Sequence, residues 1–269
     1  MSIGHYENFP VASWLLPAAL RRPIEVIYTF ARNADDFADE GDVSDAQRLS
    51  SLEVYRAELD RIGRGEKPRT ALFDDVATII ARHELPIALF YDLLDAFSQD
   101  VTKKRYASFA DVLDYCRRSA NPIGRLLVHL YRRATPQNLA YSDAICSALQ
   151  LINFWQDVAV DYAKDRIYLP QDEMAAHGVS EDDIRLQRCG APWQGLMQFQ
   201  CRRARDLLES GRPLARILPG RAGLELRFVL AGGKRILDKI AAAGYDVFRR
   251  RPVLTKRDWI ALAPGAVFA

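Results

Sequence analysis

Apolar residues recur every three to four positions along most of the chain, the spacing at which side chains share one face of an α-helix. Alternating β-branched and polar residues, which would predict strands, are missing from the sequence. Prolines and glycines separate the periodic stretches. The pattern predicts an all-α fold, with long helices over residues 18–39, 44–63, 71–82, 86–98, 108–133, 138–163, 193–215 and 222–243.

The distribution of these helices favours one domain. Residues 143–155 are apolar on more than one face, which is typical of a helix at the centre of a bundle. Residues 166–192 contain prolines and glycines and predict an irregular excursion with a short helix near 171–176. Because no linker or internal repeat interrupts the pattern, we expect a single helical domain over residues 1–269.

One proline lies inside a predicted helix. Pro122 interrupts the stretch 108–133 and removes the backbone donor that would bond the carbonyl of Arg118, so the helix should kink or break there. A short loop between two helices would explain it. Alternatively, the break exposes backbone carbonyls and the side chain of Ser119 or Asn121 to a cavity.

Composition limits the range of partners. The chain is 49% hydrophobic with a net charge of +2, which gives no reason to expect nucleic acid. The start of the chain lacks the charge and apolar run of a secretory signal, and no stretch approaches about 18 apolar residues. We therefore expect a cytoplasmic protein with reduced thiols. The cysteines have no metal-binding spacing and are Cys116, Cys146, Cys189 and Cys201.

Two acidic pairs interrupt the apolar pattern. Asp35 and Asp39 lie four residues apart, and Asp157 and Asp161 repeat this spacing in another predicted helix. Residues four apart share a helix face, where like charges repel each other. One such pair is typical of a solvated face, but both pairs here follow apolar, aromatic runs. Carboxylates on opposite walls of a cavity indicate Mg²⁺ or Mn²⁺ rather than zinc.

Short motifs in a fixed order accompany these pairs. They are His5-Tyr6-Glu7-Asn8-Phe9, Tyr28-x-x-x-Arg32-x-x-Asp35-Asp36-x-x-Asp39, Lys104-Arg105-Tyr106, Tyr115-Cys116, Gln150-x-x-Asn153-x-x-x-Asp157-x-x-x-Asp161, Asp165-Arg166-Ile167-Tyr168-Leu169-Pro170 and Gly244-Tyr245. In this order they resemble the squalene/phytoene synthase family of head-to-head isoprenoid synthases. The resemblance covers nearly the whole chain. It implies an isoprenoid-synthase bundle with a central apolar cavity.

Two departures bear on the reaction. Phytoene and squalene synthases usually carry Tyr-x-Val-Ala-Gly where residues 118–122 read Arg-Ser-Ala-Asn-Pro, and arginine where this chain has Gln156. The chain is most similar to the branch that converts presqualene diphosphate and water to hydroxysqualene and pyrophosphate in hopanoid biosynthesis. This implies a Mg²⁺-dependent carbon–oxygen lyase. The alternative is a prenyltransferase that condenses two allylic isoprenyl diphosphates head to head, as presqualene diphosphate and phytoene synthases do.

The resemblance also implies roles for individual residues. Several Mg²⁺ ions would be held by Asp35, Asp39, Asn153, Asp157 and Asp161. The substrate would contact His5, Tyr28, Arg32, Asn153, Arg166, Tyr168 and Tyr245. The catalytic set would comprise the four aspartates with Tyr115 and Asn121. We expect Tyr115 near the reacting carbon and Asn121 beside the water that attacks it.

The hydrocarbon cation needs an apolar wall that excludes bulk water. Candidate wall residues, which at helical spacing are more often plain core, are Phe30, Leu126, Leu149, Phe154 and Trp155. The chain has no Gly-rich phosphate loop after a strand, and we expect no NADPH. Expected partners are the isoprenoid diphosphate and a presqualene diphosphate synthase that could hand it over. An anionic membrane surface could contact the region Arg249–Lys256 together with Trp259 and the apolar tail.

Two further interpretations account for fewer of these sequence features. A non-catalytic relative that acts in assembly would not need both acidic pairs together with Arg32, Asn153 and Arg166. A generic metal-binding bundle would account for the acidic pairs but not for the ordered motifs around them.

Overall fold

The computed structural model describes residues 17–249 and 251–268, the last three by their backbone only. The helices are α1 (Ala18–Asp39), α2 (Asp45–Gly63), α3 (Ala71–His83), α4 (Ala88–Thr102), α5 (Phe109–Ser119), α6 (Asn121–Leu130), α7 (Pro136–Ala163), α8 (Gln171–Ala176), α9 (Glu181–Arg185), α10 (Ala191–Ser210), α11 (Leu214–Ile217), α12 (Gly220–Ala242) and α13 (Lys256–Phe268). In these ranges the sole β-type pairing is an isolated bridge between Arg105 and Ile167. The all-α prediction is confirmed.

Most helix boundaries agree with the apolar pattern, but the last third of the chain differs. The predicted helix over 193–215 ends at Ser210, and a separate short helix, α11, follows. A side chain at Gly211 would place its Cβ 2.6 Å from the carbonyl oxygen of Tyr141, so the chain bends where it passes close to α7. Helices α9 and α13 were not predicted. The pattern of α13 is weakly amphipathic, which explains why periodicity missed it.

Pro122 breaks the predicted helix over 108–133 without an intervening loop. Helix α5 ends at Ser119, Ala120 keeps right-handed helical angles, and α6 begins at Asn121 with the proline in its first turn. Proline is tolerated there because the first backbone N–H groups of a helix have no intrahelical acceptor. The result is a kink between two helices that places Asn121 inside the protein.

Local sequence sets where the central helix begins. The Thr135 hydroxyl accepts a hydrogen bond from the backbone N–H of Asn138 at 3.2 Å, and Pro136 follows in the first turn. This combination of cap and proline starts a helix efficiently. Helix α7 then runs for 28 residues and packs against both α6 and α10.

Buried side chains form two clusters with α7 next to their junction. The N-terminal core gathers residues of α1 to α4 and α6, with Phe30 fully buried among rings of Tyr55, Phe73 and Phe90. The C-terminal core gathers residues of α5, α7, α10 and α12. The central apolar cavity and the single-domain organisation stay predictions. In the ranges described, no helix is both long and apolar enough to cross a membrane.

Candidate active site

The carboxyl-terminal end of α1 is joined to the end of α7 by ion pairs. Asp39, the last residue of α1, accepts hydrogen bonds from Lys164 and Arg166, which directly follow α7. The Lys164 Nζ–Asp39 Oδ2 distance is 2.7 Å. Because Asp157 and Asp161 lie in the last two turns of α7, these contacts bring the two acidic pairs to one place. This is the juxtaposition that the sequence predicts.

Arg32 lies against the acidic end of its own helix. Its Nη2 is 2.8 Å from Asp36 Oδ1 and donates to Glu40 Oε1 at 3.1 Å, while Nη1 lies 3.7 Å from Asp35 Oδ2. The Arg32 side chain is 45% exposed, so solvent screens these pairs and their contribution to stability is small. An exposed guanidinium among carboxylates remains available to an incoming anion.

The two aspartates of the first pair have different protonation properties. Partial burial and the neighbouring charge of Asp39 raise the pKa of Asp35 to about 6. Burial acts in the same direction on Asp39, but the hydrogen bonds from Arg166 and Lys164 outweigh it and hold its pKa below the ordinary value. Only one of the two carboxylates is therefore strongly compensated by cations.

The second pair repeats this asymmetry with another counter-ion. Arg251 donates from Nε to Asp157 Oδ1 and from Nη2 to Asp157 Oδ2, the latter at 3.0 Å. Burial, followed by the charge of Asp157, raises the pKa of Asp161 to about 7. Gln156, which is buried beside Asp157, donates its side-chain amide to the carbonyl of Pro252. Sequence reasoning missed both contacts with the segment after α12.

These residues provide a suitable donor set for a magnesium ion. The predicted ligands are carboxylate oxygens plus the side chain of Asn153, which lies one turn before Asp157 on α7. In the part of the chain that the structure describes, no three acidic, histidine or cysteine side chains converge closely enough to form a complete metal-binding group. Mg²⁺ usually takes one or two carboxylates and completes its shell with water and substrate phosphate. Burial and a neighbouring carboxylate raise the pKa of Asp35 and of Asp161, and a bound cation would offset both causes.

Next to the acidic pairs lies a buried aromatic cluster. Tyr168 stacks on Phe154 with ring centroids 3.8 Å apart and planes within 4°, and both rings contact Tyr115. Tyr106 completes the cluster by stacking on Tyr168 at 5.4 Å. The predicted site residues Tyr115 and Tyr168 are thus neighbours. Tyr168 also lies near the charge of Arg166, whose Nη2 is 3.4 Å from the carbonyl oxygen of Asp100.

Asp100 is the main site residue that sequence reasoning missed. Its carboxylate is 5% exposed, accepts a hydrogen bond from the Tyr115 hydroxyl at 2.7 Å, and has a pKa raised by burial to about 7. Its carbonyl oxygen accepts a hydrogen bond from Lys104 Nζ at 2.8 Å. An acidic residue on the apolar face of a helix, between Phe97 and Val101, was the available signal.

The break at Pro122 presents two polar side chains to the interior. Asn121 Oδ1 accepts a hydrogen bond from the Ser147 hydroxyl of α7 at 2.9 Å, and both side chains are buried. The Ser119 Oγ is buried and has no hydrogen-bond partner among the described residues. A buried hydroxyl of this kind is a common position for an ordered water. The Asn121 oxygen, in contrast, is engaged in packing α6 against α7.

Four predicted substrate contacts remain to be placed, and they are His5, Tyr28, Asn153 and Tyr245. His5 lies outside the described residues. Tyr28 on α1 and Asn153 on α7 are half-buried. Tyr245 follows α12 in a left-handed backbone conformation with φ of 62°, and its carbonyl accepts a hydrogen bond from Trp193 Nε1 at 2.9 Å.

The candidate wall residues divide between the two cores. Phe30 and Leu126 are fully buried in the N-terminal core, where they serve packing. Phe154 and Trp155 belong to the C-terminal core, and Leu149 packs against it. Of these residues, Phe154 has direct contact with the aromatic cluster around Tyr115.

Known proteins share this sequence and fold. Residues 4–258 match the family described as squalene/phytoene synthase. The hydroxysqualene synthase of Rhodopseudomonas palustris is 39% identical over 86% of this chain and 78% of its own length. A 15-cis-phytoene synthase of Synechococcus elongatus is 31% identical over 91% of this chain and 83% of its own length.

A solved structure extends the likeness to the whole bundle. The squalene synthase HpnC from Alicyclobacillus acidocaldarius superposes with a TM-score of 0.83, is 36% identical, and covers 90% of each chain. The family match over residues 4–258 includes both acidic pairs and the aromatic cluster. The chain therefore belongs to the squalene/phytoene synthase family of isoprenoid enzymes.

Proposed function

We propose that this chain converts presqualene diphosphate and water to hydroxysqualene and pyrophosphate in a Mg²⁺-dependent reaction. The observation that carries the proposal is the meeting of two acidic pairs beside a buried aromatic cluster, with Arg166 between them. Similarity to hydroxysqualene synthases over most of the chain supports this choice of reaction.

The diphosphate end of the substrate would bind between α1 and α7. Asp35, Asp39, Asn153, Asp157 and Asp161 would hold the magnesium ions. Bound Mg²⁺ would supply positive charge to the departing pyrophosphate. Arg32 and Arg166 would donate charge-assisted hydrogen bonds to phosphate oxygens, with Tyr28 as a neutral donor on the same helix as Arg32. Lys164 and Arg166 already lie at this end of α1 and α7, where both pair with Asp39.

The hydrocarbon end would lie against the aromatic cluster. Loss of pyrophosphate from the substrate leaves a carbocation, and aromatic ring faces favour positive charge. The rings of Tyr115, Phe154 and Tyr168 are buried, which keeps bulk water from trapping the cation at the wrong carbon. Tyr245 and His5 stay proposed contacts at the entrance.

Capture by a single water would complete the reaction. The oxygen of that water forms a bond to the cation, and its proton leaves to a nearby base such as the released pyrophosphate. Ser119 is the proposed contact for this water, because its buried hydroxyl lies at the break between α5 and α6. Asn121, at the start of α6, would orient the same water through its amide nitrogen.

The sibling reaction is the second candidate. A prenyltransferase that joins two allylic diphosphates would use the same four aspartates. The similarity to a phytoene synthase supports this second candidate. The two reactions differ in the fate of the cation. Residues 118–122 and Gln156 are therefore the positions at which the two candidates diverge.

The cellular setting follows from the same chemistry. Substrate and product are long hydrocarbons, so a cytoplasmic enzyme would work at the inner face of a membrane and could receive presqualene diphosphate from the enzyme that makes it. Support comes from α13, where Ile260 is 74% exposed near the basic residues Lys256 and Arg257. Nucleic acid and NADPH have no part in the proposed reaction.

A product assay in H₂¹⁸O tests the proposal. Purified protein with Mg²⁺ and no NADPH receives presqualene diphosphate in one reaction and farnesyl diphosphate in another. We expect a C30 alcohol carrying ¹⁸O from presqualene diphosphate alone, identified by mass spectrometry. Accumulation of presqualene diphosphate from farnesyl diphosphate would establish the sibling reaction instead, and a product without ¹⁸O would exclude water capture.

A further inference from the structure

Residues 243–255 connect α12 to α13, and we name the described residues 246–249 and 251–255 of this connection the C-terminal strap. Its end is fastened by Asp258, which accepts hydrogen bonds from Arg235 Nε at 2.8 Å and from the Thr255 hydroxyl at 2.6 Å. Its beginning is fastened by Phe248, whose ring packs on Trp193 with centroids 4.5 Å apart. The strap is therefore held at both ends by contacts that do not involve the acidic pairs.

The middle of the strap lies on the second acidic pair. Arg251 binds both carboxylate oxygens of Asp157, and the Gln156 side chain donates to the carbonyl of Pro252. These contacts join positions 94 and 96 residues apart in sequence. Gln156 thus fixes the backbone next to Arg251 and aims its guanidinium at the neighbouring aspartate.

This placement conflicts with the role proposed for Asp157. A carboxylate whose two oxygens both accept from a guanidinium has little room for a metal ion on the same atoms. The Arg251 and Asp157 side chains are only about a quarter exposed, at 24% and 23%, so water does not readily replace either partner. Asp157 therefore has two competing partners.

We propose that Arg251 is an exchangeable counter-ion: it holds Asp157 while the site is empty and moves to the pyrophosphate group once a divalent cation takes Asp157. This rests on the proposed function only in requiring a metal and a diphosphate ligand. The exchange would keep the buried charges compensated in both states, because the guanidinium gains an anion as it loses one.

The geometry allows Arg251 to move without unfastening the strap. The anchoring contacts at Asp258 and Phe248 lie on either side of it and involve other side chains. Release of Arg251 from Asp157 would leave both anchoring contacts in place. Its neighbour Arg249 provides a matched control, because its side chain is 74% exposed and pairs locally with Asp246 at 2.9 Å.

Mn²⁺ binding without substrate tests the first half of the exchange. Free Mn²⁺ is measured by electron paramagnetic resonance against the wild-type protein, Arg251→Gln and Arg249→Gln. Since a competitor for Asp157 is removed, we expect Arg251→Gln to bind Mn²⁺ about three- to fivefold more tightly, as loss of one modest ion pair would allow. Arg249→Gln should match the wild type. Equal or weaker binding by Arg251→Gln would overturn the proposal and leave Arg251 a structural brace.

Binding of inorganic pyrophosphate at saturating Mg²⁺ tests the second half. Calorimetry should show about tenfold weaker binding for Arg251→Gln, the scale of one lost charge-assisted hydrogen bond. Unchanged affinity would also overturn the proposal. If Arg251→Gln does not fold, Arg251→Lys serves, with both effects in the same direction but smaller. Neither experiment uses the isoprenoid substrate, so failure of the hydroxysqualene assay and failure of this exchange are separate results.

Discussion

The two acidic pairs have the same spacing in sequence but different counter-ions in the fold. In each pair one aspartate is bonded to cations, Asp39 by Lys164 and Arg166 and Asp157 by Arg251. The other aspartate has a raised pKa, to about 6 in the first pair and about 7 in the second. Helical spacing alone indicates none of this asymmetry.

The origin of the counter-ions separates the two pairs. The cations on Asp39 follow α7 directly, so the first pair ties the end of α1 to the end of α7. The cation on Asp157 comes from the C-terminal strap, beyond α12. The first set of contacts therefore holds two walls of the site together, whereas the second set can be released without separating them.

The largest effect is expected from Asp39→Asn. Activity should fall by more than about 100-fold, the scale on which loss of a charged partner of the transition state acts. The fold should also weaken by about 1–3 kcal/mol, because Arg166 keeps its charge but loses its carboxylate partner. The measurements are the initial rate of product formation and the free energy of unfolding in urea.

Asp36→Asn is the control for that prediction. Asp36 belongs to the same motif, but its carboxylate pairs with the exposed Arg32 rather than with residues after α7. Its substitution should change the free energy of unfolding by less than about 0.5 kcal/mol. Equal destabilisation by the two variants would contradict the idea that Asp39 joins the walls.

A second variant, Asp161→Asn, should lose activity yet gain stability. At pH 8 the carboxylate of Asp161 is ionised against burial and against the charge of Asp157. Each unit of pKa shift corresponds to about 1.4 kcal/mol, which gives about 4 kcal/mol for this shift. Because Asp161 is only half-buried and solvent screens part of the repulsion, we expect its removal to raise the free energy of unfolding by about 1–3 kcal/mol. Urea unfolding at pH 8, without metal, measures the change.

Asp161→Glu distinguishes charge from shape at that position. It keeps the negative charge and should show no gain in stability. A gain of equal size in both variants would mean that packing around position 161, and not repulsion within the pair, limits the stability of the empty site.

Much of the fold could be predicted because burial follows helical periodicity. Helices α1, α2 and α7 begin or end within two residues of their predicted limits, and each has an apolar face or a cap to mark it. Helix α13 could not be predicted in this way. It packs on α12 through few apolar residues and is fastened by the ionic contacts of Asp258.

Site residues could be predicted where they belong to a short sequence motif. The aspartates, Arg166 and Tyr168 belong to such motifs, and the fold brings them together. Asp100 and Arg251 were missed because their roles depend on partners 15 and 94 residues away. The apolar face around Asp100 indicates that it is buried, but the partners of Asp100 and Arg251 are set by packing and not by a local pattern.

The smallest effect concerns Asp100, the buried carboxylate that belongs to neither pair. Burial raises its pKa in the folded protein to about 7, above the value of 3.8 for an exposed carboxyl group. Between these values the folded state holds a proton that the unfolded state has lost, so Asp100 makes the protein less stable as pH rises, by up to about 1.4 kcal/mol per pH unit.

Asp100→Asn cannot ionise and should remove this part of the pH dependence. Urea unfolding at pH 5.5, 6.5 and 7.5 measures the difference between variant and wild type. A difference that stays constant with pH would show that Asp100 is ionised throughout, held by Tyr115 and the nearby Arg166.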